Sequence, residues 1–171
     1  GTGACLVCLN KERTELALDR IDINDIITSE HFEIKKQLVN EDARKLYNID
    51  QSNTTIDDDV VFSTYINNNK NIKSENINRL IAGKKFQEVN RKLRQEIAGI
   101  DGATIIDWDG TIIAVGAIIK IEAGSTGGGR LAATKTLAKY GVALKVSTDG
   151  TIQGFTRDKR NNKVKELFTV G

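Results

Sequence analysis

Residues 101–155 read DGATIIDWDGTIIAVGAIIKIEAGSTGGGRLAATKTLAKYGVALKVSTDGTIQGF. Short apolar runs here alternate with turn signals and one helical pattern. Residues 103–107 form a candidate strand, Asp109-Gly110 supplies a hairpin turn, and residues 111–121 form a longer return strand. The return strand is apolar almost without interruption from Ile112 to Ile119, which predicts a central strand covered on both faces. Gly116 within it predicts a bulge or a close backbone approach. A triple glycine, Gly127-Gly128-Gly129, then runs into a helix over 130–140 that Gly141 closes. Residues 142–147 return as a buried strand, and Asp149-Gly150 turns the chain into a last strand over 151–155. Strand pair, crossover helix, strand pair: the pattern predicts an α/β fold, a mixed central β-sheet with helices packed on its faces.

Upstream, Phe86, Val89, Leu93 and Ile97 recur at spacings of three and four, the stripe of an amphipathic helix over 84–98 with Gly99 as its C-cap. Ser74 is placed to cap a shorter helix whose apolar side is Ile77, Leu80 and Ile81, ending before Gly83. Further back the pattern loosens, and the chain divides near residue 70 into an N-terminal segment, 1–70, and a main domain, 71–171. In the first, Thr28 and Ser29 can cap a helix through about Leu38, and residues 41–47 add a turn or two. Residues 53–59 read as an acidic loop, 60–66 as a strand and 67–71 as a linker. The triplet Asp57-Asp58-Asp59 lacks the glycine and downstream glutamate of a calcium loop. The basic, polar stretch 157–165 reads as an exposed tail, with Leu167 and Phe168 tucked back.

Composition narrows the classes. The chain has 171 residues, 39% hydrophobic and only 5% aromatic, so its core is built from Ile, Val, Leu and Ala. A net charge of +2 gives no argument for a nucleic-acid surface. No apolar run reaches the roughly 20 residues of a membrane span, and no signal peptide is visible. The lack of Met and the initial Gly predict a piece cut from a longer protein or a chain processed at its start; fusion or coupling to an effector outside this sequence is expected. Cys5 and Cys8 form a C-x-x-C, but with no second pair and His31 the sole histidine, zinc would need carboxylates. Two small thiols buried on an apolar strand are expected, in a reducing, cytoplasmic setting.

A glycine turn ahead of a helix presents unpaired backbone N–H groups and the positive end of the helix dipole, and so can cradle phosphate. Here those groups run from Gly127 through Gly128 and Gly129 to Arg130, whose guanidinium adds charge. Ser125 and Thr126 lie just upstream with hydroxyl donors. The alternative is a tight connection without a ligand.

Taken in order, Asp101-Gly102-Ala103, the return strand Gly110, Ile112, Ala114, the glycine turn with Arg130-Leu131-Ala132-Ala133, and Val146-Ser147 resemble the diadenylate cyclase domain. The resemblance covers roughly residues 93–155. It implies a fold in which facing domains of a dimer condense two ATP molecules to cyclic di-AMP. Asp101 would then be the catalytic carboxylate and the ligand of a divalent metal, Mg²⁺ or Mn²⁺. The family's Gly-Thr-Arg-His-Arg-Ala-Ala motif is altered here: Gly127 and Ala132-Ala133 match, but Gly128-Gly129-Arg130-Leu131 keep one basic residue of three. The family's acidic pair after Val-Ser becomes Thr148-Asp149. Phosphoryl transfer depends on neutralising phosphate charge, so the pattern is similar to bacterial signalling offshoots of the superfamily that only recognise a nucleotide. Three functions fit: a catalytically inactive sensor of ATP or a cyclic dinucleotide, an active cyclase, and a structural or partner-binding module without ligand.

Overall fold

The computed structural model describes residues 3–46, 72–81, 83–121 and 128–171. The expected features at 53–59, 60–66 and 67–71 lie outside them, as do Ser125, Thr126 and Gly127. The described chain is a mixed α/β structure built on a six-stranded sheet. In chain order the strands are β1 (Ala4–Leu9), β2 (Ala103–Ile106), β3 (Ile112–Ala117), β4 (Gly141–Val146), β5 (Ile152–Arg157) and β6 (Val164–Val170). The helices are α1 (Thr14–Leu18), α2 (Ser29–Leu46), α3 (Ile72–Ile81), α4 (Arg91–Ala98) and α5 (Gly129–Ala138). Across the sheet the order is β3-β2-β1-β4-β5-β6. Only β1 and β2 run parallel; the other neighbours are antiparallel.

The first strand of the chain therefore lies in the middle of the sheet. Its alternation places Cys5, Val7 and Leu9 in the core. They pack with Ile105, Ile113 and Phe155 from the sheet and with Ala17, Leu18, Leu137 and Ala138 from α1 and α5. On the opposite face Ile112 and Val115 meet Ile81 of α3 and Ile97 of α4. Thr104 ties that face to α4 by donating its hydroxyl to the Ile97 carbonyl at 3.1 Å.

Several sequence expectations need correction. β3 is fully buried, but it ends the strand order rather than occupying the centre. Its outer side is closed by bridges from Ile26 to Ala114 and from Ile21 to Ile119, and by Ile27 N donating to Ile113 O at 2.9 Å. A continuous apolar run encodes burial on two faces; it carries no information on place in the sheet. The strand also stops at Ala117, not residue 121, and Ile118 is exposed. Gly116 accounts for the stop. It has φ 65°, the β2–β3 register slips on either side of Ile105, and its carbonyl packs against Gly102 so closely that a Cβ there would overlap it.

The 84–98 stripe is two elements. A 3-10 turn, Phe86–Glu88, ends at an extended Val89, and Asn90 restarts the chain by accepting Leu93 N on its side chain at 2.9 Å. Residues 29–46 form one helix without the break expected near Leu38, and Ser74 sits inside α3 rather than at its cap. Gly141 opens β4 instead of closing a helix: a side chain there would overlap the Cys8 carbonyl. Beyond the exposed stretch 159–163 the chain forms β6, which pairs with β5, and Leu167 and Phe168 are exposed on it rather than tucked back. Both Asp-Gly turns form as read: Asp109 and Asp149 each accept the backbone N–H two residues on, at 2.9 Å, and hold Gly110 and Gly150 at positive φ.

Candidate functional site

Three chain segments converge at one end of the sheet. Asp101 and Gly102 lead into β2, Ala117 to Ile121 leave β3, and Gly129, Arg130 and Ala133 form the start of α5. Together with Cys5 of β1 they line a cavity of about 220 Å³. Local chemistry explains each segment. Gly128, at φ 83°, precedes α5 with no side-chain cap. The first-turn N–H groups of α5 accordingly lack intrahelical acceptors. The Gly102–Gly116 contact draws the start of β2 against the end of β3.

Arg130 is the cation of this cavity. Its Nη2 lies 3.5 Å from Oδ1 of Asp101. A Cβ added to Gly3 would stand 2.6 Å from Arg130 Nη1 and 2.8 Å from the Val146 carbonyl, so the guanidinium lies beside the backbone where β1 begins and β4 ends. The Asp101 side chain is 95% exposed. Its Oδ1 also accepts the Gly102 N–H at 3.1 Å, the geometry of an aspartate capping its own turn.

Of the residues singled out in the sequence, the structure brings together Asp101, Gly129 and Arg130 around the cavity, with Gly128 next in the chain. Asp149 is not among them; it caps its own turn at Thr151. The sequence did not mark the apolar rim. Ile118 and Ile121 are 68% and 41% exposed and line the cavity with buried Ile119. They continue an apolar run, so only the bulge signal at Gly116 hints that Ile118 turns outward.

Cys5 is a buried thiol on the cavity wall, held by Thr134, whose hydroxyl lies 3.3 Å from Sγ and 2.8 Å from the Arg130 carbonyl. Burial raises its pKa, with Thr134 and Arg130 partly opposing. Cys8 is raised by burial and by the Asp107 charge. The two thiols are free and, three residues apart on one strand, face opposite sides of the sheet. That geometry rules out a shared metal or a mutual disulfide in the folded chain.

A second polar cluster lies at the β2–β3 turn. Buried His31 contacts the Thr28 hydroxyl at 2.8 Å through Nδ1 and Asp107 Oδ2 at 3.3 Å through Nε2. Asp107 Oδ1 accepts from the Thr14 hydroxyl at 3.0 Å and from Trp108 N at 2.7 Å. This network ties α1 and α2 to the hairpin. Among the described residues no group of three or more His, Cys, Asp or Glu side chains is placed to hold a metal ion, and no helix is long and apolar enough to cross a membrane. Comparisons with family models, curated proteins and solved structures returned no match.

Proposed function

We propose that the chain is a nucleotide-recognition domain of the kind its motifs resemble, a degenerate relative of diadenylate cyclases that binds its ligand without turning it over. The supporting observation is convergence: Asp101 and Arg130, far apart in sequence, meet at one cavity with the first turn of α5 on its wall. A phosphate would accept from the N–H groups of that turn, which have no intrahelical acceptor, and from the Arg130 guanidinium. The exposed Ile118 and Ile121 offer an apolar surface to the base or ribose. Catalysis is disfavoured because Gly129 and Leu131 stand where the resembling family carries cations, and missing cationic partners would cost roughly 2–4 kcal/mol each in the transition state.

Mg²⁺ or Mn²⁺ fits this site only as a partner of the ligand. Asp101 supplies one exposed carboxylate, and such ions commonly keep several waters and bind through one or two carboxylates plus substrate phosphates. When bound, the ion would neutralise phosphate charge. A cytoplasmic setting, a two-fold dimer and coupling to an effector outside this sequence belong to the same proposal. Sedimentation showing a monomer with and without ligand would remove the dimer.

The test is a thermal-shift screen over nucleotides followed by calorimetry. A ligand at 100 times its Kd adds about 2.7 kcal/mol of stability. Arg130→Ala is expected to weaken binding by about 1.5–3 kcal/mol. Equal binding to wild type and to folded Arg130→Ala moves the pocket elsewhere. Cyclic dinucleotide and pyrophosphate formed from ATP and Mn²⁺ would instead make the domain an enzyme.

A further inference from the structure

The charge and size of the cavity point to a narrower ligand class within the nucleotide reading above. Arg130 contributes the one cation among the described lining residues, and Asp101 contributes one carboxylate 3.5 Å from it. The rest of the wall is uncharged, chiefly Ile118, Ile119, Ile121 and Ala133. The described lining therefore has no net positive charge.

We infer that the site selects a nucleotide whose phosphate carries a single negative charge, a phosphodiester, over a nucleoside triphosphate. A phosphodiester can take a place on the guanidinium beside the Asp101 carboxylate while adding only a single negative charge. A triphosphate brings several charges against one cation and places them within reach of the Asp101 carboxylate, where like charges repel. Size acts in the same direction. The cavity of about 220 Å³ is smaller than the roughly 300–1,000 Å³ pockets that enclose drug-sized ligands. It has room for part of a nucleotide, and a polyphosphate tail would lie outside it beside Asp101.

Calorimetry on the whole chain, in low salt with a chelator, tests this with base-matched pairs: cyclic AMP against ATP, and cyclic GMP against GTP. For at least one base the cyclic ester is expected to bind about tenfold or more tightly than the triphosphate, a difference readily resolved. Asp101→Asn, a change at an exposed side chain whose folding circular dichroism can check, is expected to improve triphosphate binding more than cyclic-ester binding. The ratio should then shrink about threefold or more, the signature of a removed repulsion. A triphosphate that binds wild type as tightly as its cyclic ester, or a ratio unmoved by Asp101→Asn, overturns the charge selection and leaves nucleotide binding standing. Binding of neither member of either pair overturns both.

Discussion

The contact between Gly102 and Gly116 sets the geometry of the cavity, and its energetic weight can be separated by three alanine substitutions. Gly102 has φ 104°, and a Cβ there would overlap the Gly116 carbonyl and stand 2.8 Å from the Ala117 oxygen. Gly150 has φ 91° with nothing within 4 Å of such a Cβ. Gly141 has no positive φ, but its Cβ would overlap the Cys8 carbonyl and stand 2.8 Å from Leu9 Cα. Gly150→Ala thus measures the backbone strain, about 1–2 kcal/mol. Gly141→Ala measures the overlap, about 1–3 kcal/mol and more where backbone must move. Gly102→Ala incurs both, about 2–5 kcal/mol. At about 2–4 °C per kcal/mol for a chain of this size, that lowers Tm by about 4–20 °C, against about 2–8 °C for Gly150→Ala. Urea denaturation followed by circular dichroism supplies the free energies. A Gly102→Ala variant no less stable than Gly150→Ala would refute the close approach and with it this account of the cavity.

Three other outcomes are expected. Asp107→Ala removes the acceptor of Thr14 and Trp108 N and the partner of His31, and should cost about 2–4 kcal/mol with a change in emission from Trp108, the sole tryptophan; unchanged stability would reduce the network to an ornament of packing. Burial depresses the pKa of Lys35, with Asp19 partly opposing, so the folded chain gives up this proton before the unfolded one does and stability rises with pH between the depressed value and the unfolded value of about 10.4. Lys35→Met should therefore lose this rise, its stability staying flatter than that of wild type as pH climbs toward the unfolded value; an equally steep rise in the variant would rule out Lys35 as its source. Both thiols are held protonated by burial, so a thiol reagent at pH 7 should modify the partly buried Cys8 before Cys5, and faster labelling of Cys5 would show that the cavity wall opens.

The two Asp-Gly hairpins were legible because their turn chemistry is local: each aspartate accepts a hydrogen bond from the residue two positions on, whatever surrounds it. The α5 helix and its glycine approach were legible for the same reason. Less local features were not. Val164 to Val170 pairs along one edge with both faces largely exposed, so no alternation of apolar and polar residues marks it. The break at Asn90 was hidden because Val89 continues the apolar spacing while its backbone is extended. At the site, Asp101 comes from the family resemblance, and the glycine turn with Arg130 from its own chemistry. Ile118 and Ile121 were missed because an isoleucine in a strand and one on a rim read alike until the bulge at Gly116 is known.

The place of β1 has a consequence for how the chain is made. Its residues pair with Ala103 to Ile106 on one side and Gly141 to Val146 on the other, so β1 is fully paired only once residues as far along as Val146 have been made. Such long-range closure slows folding and leaves an apolar strand open to wrong partners meanwhile. Strands β1 and β6 are correspondingly unequal in weight. Trimming β6 would strip an edge, whereas trimming the first nine residues would cut the sheet into β3-β2 and β4-β5-β6, two fragments with no hydrogen-bonded seam between them.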